Sequence, residues 1–418
     1  MGVSLDKSRT AATIGADARR ILWVRGLRAF GDGYVSLLLP AYLLQRGLSP
    51  LQVGIVATAT LLGSGVATLV VGLHAHRVGC RALLIGAALL MAATGLGLAA
   101  TDGFWPLLVV AIVGTLNPSS GDASLFLPLE QATLAGLASD RQRTAMFARY
   151  SLVGALAGAG GALAAGLPQL AASAAGLPLA NTTQAMFIAY AVLGCVSAAI
   201  YRGLPRDRQV AGGRAPAPAA ALGPSRRIVV ILAALFGLDA FAGGFVVQSM
   251  LALWLLEKFG LGVVATGAIF FWTGILSAFS YVVAVRIARK LGLVNTMVFT
   301  HLPSSVLLLL VPFMPTLALA VVLLLARSAL SQMDVPTRNS YVMAVVTPAE
   351  RAAAASITSL SRSLASSAGP FIAGWLLGIS AFGWPLIVAG ALKIVYDLSL
   401  LATFGRLRPP EESALPSR

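Results

Sequence analysis

Two aspartates in strongly apolar surroundings are the residues of this chain best suited to chemistry. Asp32 lies in RAFGDGYVS and Asp239 in FGLDAFAGG, 207 residues further on, and glycines surround both. A carboxylate that is excluded from water either pairs with a cation or binds a proton. Each aspartate is therefore a candidate proton-binding site. The alternative is a structural role, in a helix–helix hydrogen bond or in an ion pair with Arg327 or Arg362.

The composition indicates a membrane protein. Of the 418 residues, 58% are hydrophobic and 11% are charged, whereas a soluble domain averages about 25% charged residues. The net charge of +15 does not predict nucleic-acid binding, because the basic residues are scattered over short loops. Cys80 and Cys195 are isolated and form no metal-binding or disulfide pattern. No P-loop is present, so we expect no cofactor and no metal, with a proton gradient as the energy source.

Hydropathy predicts twelve membrane-spanning helices, because each span needs about 20 mostly apolar residues. The predicted spans are 21–44, 51–73, 81–100, 104–128, 144–166, 184–203, 228–256, 263–285, 293–312, 316–343, 352–378 and 384–405. Lys and Arg accumulate in cytoplasmic loops. Here they accumulate in both tails and in the loops on the same side, while the opposite loops hold only Arg46 and Lys258. Both termini are therefore expected in the cytoplasm, and we expect a bacterial plasma or inner membrane.

The two halves of the chain are related copies. PLEQ (128–131) aligns with PTRN (336–339) at an offset of 208 residues, which also places Arg143 over Arg351 and Gly161 over Gly369. Asp32 and Asp239 correspond at nearly the same offset. The predicted organisation is a tail (1–20), a six-helix bundle (21–203), a Pro- and Arg-rich cytoplasmic linker (204–227), a second six-helix bundle (228–405) and a tail (406–418). Repeats of this kind place a binding site at their interface, near the midplane.

This pattern resembles the major facilitator superfamily. The loop GLHAHRVGCR (72–81) matches its signature at Gly72, Arg77, Gly79 and Arg81, but His76 stands where the family has Asp. The resemblance implies an all-α fold of two pseudo-symmetric six-helix bundles, with a loop that locks one conformation by charge pairing. Glu130 is the candidate counter-charge for Arg77 or Arg81. The glycine series GALAGAGG (154–161) and ASSAGPFIAG (365–374) indicate either close helix packing or the family's exporter signature.

Charged residues inside a membrane are expensive unless they are paired or functional. Arg25 and Arg28 lie near the cytoplasmic boundary, where they can snorkel or pair with Asp122 or Glu130. Lys393 and Asp397, four residues apart on one span, are expected to pair along their helix. Asp32 and Asp239 each lie roughly 18 Å from the cytoplasmic start of the span, near mid-bilayer.

A second group of polar residues has a depth that suits a central cavity. Its predicted members are Arg327, Asn117, Gln248, Gln332 and Asp122. Arg327 is expected either to bind an anionic solute or to neutralise Asp32 or Asp239. It cannot carry the proton itself, because an arginine stays charged. In NPSSGD (117–122), Pro118 and Gly121 are expected to break the fourth span and to free carbonyl groups for a ligand.

These features predict a secondary transporter that moves a small solute by alternating access. The leading hypothesis is a proton-coupled exporter, an antiporter. The alternative is a facilitator or a proton symporter that imports a metabolite or an organic anion. A polytopic membrane enzyme would need acids and histidines near one interface, and here the charge lies at the midplane, so we expect no enzyme. The expected partners are the solute and membrane lipid, with no nucleic acid, and the chain is expected to be a monomer.

Overall fold

The computed structural model describes residues 2–74, 78–119, 124–137, 140–205, 223–347 and 350–405. Within this part of the chain it contains sixteen α-helices and no β-strand. The first half forms α1 (Gly2–Gln45), α2 (Pro50–His74), α3 (Cys80–Ala100), α4 (Phe104–Val113), α5 (Phe126–Leu137), α6 (Asp140–Ala164), α7 (Leu167–Ala175) and α8 (Leu179–Tyr201). The second half forms α9 (Arg226–Gly244), α10 (Gln248–Phe259), α11 (Val263–Leu291), α12 (Leu293–Leu310), α13 (Leu317–Leu330), α14 (Asp334–Val345), α15 (Arg351–Ile379) and α16 (Trp384–Phe404). The all-α architecture is confirmed.

Each of the twelve predicted spans overlaps at least one of these helices. Eight stretches of the described residues are long and apolar enough to cross a membrane, and α4 and α13 are shorter apolar helices. The fourth predicted span, 104–128, covers α4 and the start of α5, and α5 itself continues past Glu130 to Leu137. The helix continues because Glu130 is buried and its charge is neutralised by Arg28.

The helices pair in the same way in both halves, as the predicted duplication requires. In the first half α1 packs on α6, α3 on α8 and α2 on α4. The corresponding pairs of the second half are α9 with α15, α12 with α16 and α11 with α13. A large apolar cluster extends through both halves, and a smaller one lies among α9, α12, α14 and α16. The candidate site residues are held by these pairs.

The two halves touch through glycines at one end of the molecule. We call the end where α1 begins and α16 ends the termini end, and the opposite end the far end. Gly54 of α2 and Gly374 of α15 lie at the far end, so close that a Cβ on either would collide with the backbone of the other helix. Gly267 of α11 meets the Ala162 carbonyl of α6 in the same way. Small residues thus permit the closest approach between the halves.

Candidate functional site

Most of the charged residues predicted inside the spans are buried and fall into two groups. The N-terminal cluster consists of Arg25, Arg28, Asp32 and Glu130, with the hydroxyls of Tyr150, Tyr190 and Tyr201. The C-terminal cluster consists of Asp239, His301, Arg327, Asp334, Arg338, Arg362, Lys393 and Asp397. Each cluster draws its side chains from several helices of its own half. The packing of each half therefore positions them.

Glu130 is the centre of the pairing in the N-terminal cluster. Arg28 Nη2 lies 2.7 Å from Glu130 Oε2, and both side chains are almost completely buried. The hydroxyls of Tyr150 and Tyr201 also donate to this carboxylate. The Arg28 guanidinium lies 3.7 Å from the centre of the Phe126 ring, in a cation–π contact. The predicted pairing of Arg28 with Glu130 is confirmed.

The predicted gating loop is only partly described. Arg77 lies outside the described residues. Arg81 donates to the Arg202 carbonyl at 2.5 Å, and Glu130 contacts Arg28 rather than Arg81, so the alternative with Arg77 is left as a prediction. The buried guanidinium of α1 reaches Glu130 instead. Gly72 lies near the end of α2 and Gly79 directly precedes α3, both at the termini end. The gating role of this loop stays a prediction.

Asp32 has a single hydrogen-bond donor and no ion pair among the described side chains. It is 7% exposed, and Tyr190 Oη donates to its Oδ1 at 3.0 Å. The neighbouring Gly31 is needed for this contact, because a Cβ there would lie 3.0 Å from the Tyr190 ring. The hydrogen-bond partner of the buried Asp32 carboxylate is therefore a neutral hydroxyl group.

Asp239 is surrounded by cations. Lys393 Nζ donates to its Oδ1 at 2.6 Å. Arg338 Nη1 and Arg362 Nη1 lie 3.4 and 3.9 Å from Oδ2. His301 Nε2 lies 3.6 Å from Oδ1. Side chains from α12, α14, α15 and α16 thus converge on one carboxylate of α9, which is 5% exposed.

His301 and Asp397 form a second pair beside Asp239. His301 Nδ1 lies 2.9 Å from Asp397 Oδ1 and 3.0 Å from Oδ2, and Asp397 is completely buried. The expected pairing of Lys393 with Asp397 along α16 is wrong. The two side chains reach different neighbouring helices, Lys393 toward Asp239 on α9 and Asp397 toward His301 on α12.

Sequence reasoning missed His301. The chain has three histidines; His74 ends α2, and His76 lies outside the described residues. An imidazole within an apolar span was the signal that could have found this residue, because polar side chains inside spans are functional candidates. The tyrosine hydroxyls gave no such signal, since tyrosine is common in apolar segments.

The charged residues of the two halves are paired differently. In the first half, Arg28 of α1 pairs with Glu130 of α5. Arg338 corresponds to Glu130 at the offset of 208 residues, and it lies 2.9 Å from Asp334 and 3.4 Å from Asp239. Because Asp239 corresponds to Asp32 and not to Arg28, the halves share charged positions but not an equivalent ion pair.

The residues predicted to line a cavity lie at or near helix breaks. Asn117 lies between α4 and α5, Gln248 begins α10, and Gln332 lies between α13 and α14. The expected break at Pro118 is confirmed by the non-helical residues 114–119. Arg327 is partly buried near the end of α13, and its Nε makes no hydrogen bond to the described residues. Asp122 lies outside the described residues.

The breaks in the two halves meet. The amide of Ser249 donates to the Pro118 carbonyl at 3.2 Å, which joins the fourth span of one half to the seventh span of the other. Beside this contact is a small cavity lined by Ser36, Thr60, Asn117 and Ser249, among other residues. Asn117 Nδ2 and Ser249 Oγ are buried without a hydrogen-bond partner in the described chain. Both atoms are thus available to a ligand or a water molecule.

Comparison with known proteins decides the family. The model of the Major Facilitator Superfamily matches residues 21–333. The chain belongs to the major facilitator superfamily. Members of this superfamily are secondary transporters that bind small-molecule solutes and work by alternating access, and they are not enzymes. The all-α membrane fold with two helical bundles follows from the same match.

An uncharacterized membrane protein of Saccharomyces cerevisiae is 24% identical to this superfamily member, over 92% of this chain and 93% of the yeast protein. The solved structure of the nucleoside transporter NupG matches with a TM-score of 0.70 and 14% identity, covering 93% of this chain and 99% of NupG. The human organic anion transporter MFSD10 matches with a TM-score of 0.59 and 18% identity, covering 92% and 99%. At these identities, the two solved structures establish the fold alone.

Proposed function

We propose that the chain is a proton-coupled secondary transporter whose solute is a small organic anion. The charge of the C-terminal cluster carries this proposal. Arg327, Arg338, Arg362 and Lys393 bring four positive charges to three aspartates, Asp239, Asp334 and Asp397. One positive charge is in excess before His301 is counted. An unbalanced charge inside a membrane is costly, and a bound anion would neutralise it.

Arg327 is the side chain that we propose to meet the solute first. Its Nε makes no hydrogen bond to the described residues, and it interacts with Asp239 only through longer-range electrostatics. A guanidinium offers donors in a planar fork that matches a carboxylate or a phosphate. The fold of this chain is also that of the human organic anion transporter MFSD10.

Asp32 is the proposed site of the coupling proton. Its hydrogen bond comes from the neutral Tyr190 hydroxyl, and burial without a direct ion pair disfavours the charged carboxylate. The surroundings of Asp239 support a different role, because Lys393, Arg338 and Arg362 stabilise its charged form. We propose that Asp239 is a fixed anion that holds these cations in place until the solute arrives.

The membrane arrangement is also a proposal. Basic residues concentrate in the loops of the termini end, which supports cytoplasmic termini in a bacterial plasma or inner membrane. The glycine contacts at the far end would then close the outer side. We propose a monomer whose six-helix bundles span 21–203 and 228–405, joined by the linker 204–227.

Export by proton antiport is the second candidate function, and Asp32 favours it. A buried carboxylate without a cation partner can bind either a proton or a cationic solute. The two would then compete for one site, which is the requirement for antiport. This candidate predicts a cationic solute, so the charge of the transported compound distinguishes it from the first.

Counterflow in proteoliposomes tests both candidates. Purified protein is reconstituted with labelled succinate, citrate, inorganic phosphate or the lipophilic cation tetraphenylphosphonium, and exchange is measured without a proton gradient. Exchange of at least one of these anions, without competition from tetraphenylphosphonium, would support the first candidate. Exchange of the cation alone would contradict it and favour the antiporter. In vesicles, accumulation driven by an inward proton gradient identifies symport, because the proton and the solute then enter together. Accumulation driven by an outward proton gradient identifies antiport.

The Asp32→Asn variant tests the proton site separately. It should retain counterflow, which needs no net proton movement, and lose accumulation driven by a proton gradient. Asn117→Ala, at the helix break, is a matched control that alters a polar cavity residue without removing a charge. Gradient-driven accumulation at the wild-type level in Asp32→Asn would refute the assignment of Asp32.

A further inference from the structure

The imidazole of His301 lies between two carboxylates and an ammonium group in the interior of the second half. Its Nδ1 faces Asp397 at 2.9 Å, and its Nε2 faces Lys393 Nζ at 3.4 Å and Asp239 Oδ1 at 3.6 Å. We infer that His301 is a second proton-binding site, that the proton binds at Nε2, and that its binding controls the pairing of Lys393 with Asp239. The function proposed above assigns no role to His301.

Asp397 fixes the tautomer of His301. A completely buried carboxylate needs a hydrogen-bond donor, and His301 Nδ1 is the donor that the structure records for it. The hydrogen of the neutral ring therefore resides on Nδ1, as in the histidine–carboxylate pairs that orient metal ligands and catalytic bases. Nε2 is left with a lone pair, so a change of protonation takes place at Nε2.

Nε2 of His301 makes different contacts with its neighbours in its two protonation states. Without a proton, Nε2 can accept a hydrogen bond from Lys393 Nζ at 3.4 Å while Lys393 also donates to Asp239 at 2.6 Å. With a proton, Nε2 becomes a donor toward Asp239 Oδ1 and repels the ammonium group. Lys393 and protonated His301 thus compete for the same carboxylate oxygen.

The arginines near His301 keep the same charge whether or not the imidazole is protonated. The helices packed against α12 are α11, α13, α14 and α16. The charged residues of these helices and of α9 and α15 that form the cluster are Arg327, Asp334, Arg338, Lys393, Asp397, Asp239 and Arg362. The side chains of Arg286, Arg289 and Lys290, near the end of α11, lie outside the described part of the chain. Arginines keep their charge, so they do not replace His301 as a proton carrier.

Protonation of His301 links proton binding to anion binding, and this step rests on the proposed function. The cluster carries one excess positive charge with neutral His301 and two with the imidazolium. A solute anion therefore binds the protonated form more tightly, and by linkage the anion promotes protonation to the same degree. Cooperative binding of proton and anion corresponds to symport.

Magic-angle-spinning NMR of the full chain in lipid tests the proton site. In a His74→Gln/His76→Gln background, His301 is the one histidine left, so ¹⁵N-histidine labelling reports on it alone. At high pH we expect a neutral ring with the hydrogen on Nδ1, and on acidification a second proton bound at Nε2. A ring that stays in one state from pH 5 to about 9, or a neutral ring with the hydrogen on Nε2, would overturn the inference.

Two variants make the test specific to the proposed geometry. Lys393→Gln removes a cation 3.4 Å from Nε2 and should move the midpoint of the titration to higher pH by about one unit or more. Asp239→Asn removes an anion 3.6 Å away and should move it to lower pH by a similar amount. A purely structural histidine would not show this pair of opposite shifts, and an unchanged midpoint in both variants would refute the assignment.

Proton movement in proteoliposomes separates this inference from the proposed function. Internal pyranine reports proton entry when gradients of succinate, citrate or inorganic phosphate are imposed. His301→Gln should lower the number of protons that enter per anion, because only the proton on Asp32 then remains, and it should weaken anion binding without abolishing exchange. If the NMR titration behaves as expected and none of these anions exchanges, the proton site stands and the anion proposal fails. If an anion carries protons equally well in His301→Gln, the anion proposal stands and the inference about His301 is wrong.

Discussion

The pairing around Asp239 predicts that its neutralisation is far more damaging to the fold than that of Asp32. Asp239→Asn leaves Lys393, Arg338 and Arg362 packed together without the carboxylate that they contact at 2.6, 3.4 and 3.9 Å. Removing one partner of a buried ion pair costs about 3–5 kcal/mol. Asp32→Asn breaks no direct ion pair, and the amide oxygen can still accept from Tyr190, so its cost should stay below about 1 kcal/mol.

Thermal unfolding in detergent, followed by tryptophan fluorescence, measures this difference. Asp239→Asn should lower the unfolding midpoint by several degrees, and Asp32→Asn should leave it close to wild type. The double variant Asp239→Asn/Lys393→Met should recover a large part of the loss, because it removes the cation with the shortest contact to the missing carboxylate. Equal midpoints for the two single variants, or no recovery in the double variant, would refute the view that Asp239 organises these cations.

Three further predictions follow from individual contacts. Tyr190→Phe removes the hydroxyl that donates to Asp32, so it should change the pH dependence of gradient-driven transport while leaving counterflow near wild type; an unchanged pH profile would contradict the role of this contact. Gly54→Val places a side chain against the Pro370 carbonyl, so it should hold the far end open, which increased labelling of cysteines introduced there would reveal; wild-type labelling would count against closure at this contact. Hydrogen bonds from Ser225 and Thr347 lower the pKa of Glu350, so Glu350 stabilises the fold above the ordinary pKa of a glutamate, and this stabilisation is lost as the pH falls through the lowered value. The difference in unfolding midpoint between wild type and Glu350→Gln should therefore shrink at acid pH, and a difference that grows there would show the sign to be wrong.

The sequence predicted the helices well because apolar length is a local property. Each of the twelve spans overlaps a helix, and the duplication that aligned Asp32 with Asp239 is matched by equivalent helix pairs in the two halves.

The partners of individual charges were harder to predict, because they depend on how helices pack. Spacing along α16 favoured a pair of Lys393 with Asp397, yet each side chain faces a different neighbouring helix. A hydropathy profile contains no information about which helix faces which. The role of His301 was also hard to predict, because it depends on contacts with Asp397 and Asp239, which lie on two other helices.

The different charge balance of the two clusters assigns different tasks to the two halves. In the first half, Glu130 receives Arg28 and two tyrosine hydroxyls, so its charge is fully compensated by groups that do not titrate near neutral pH. In the second half, the equivalent position carries Arg338, and the single carboxylate of Asp239 is shared by several cations. Compensation there is incomplete, and a solute or a proton can alter it.

This asymmetry bears on how the two halves could be coupled to one solute. A site built from two identical halves would respond to charge equally on both sides, so a bound anion would favour neither. Here the excess positive charge lies on one side, and the buried carboxylate of Asp32, which has no direct ion pair among the described side chains, lies on the other. An anion between the halves would be attracted to the second half and repelled by ionised Asp32. Protonation of Asp32 removes that repulsion, so the solute and the proton on Asp32 would favour each other's binding even though they occupy different halves.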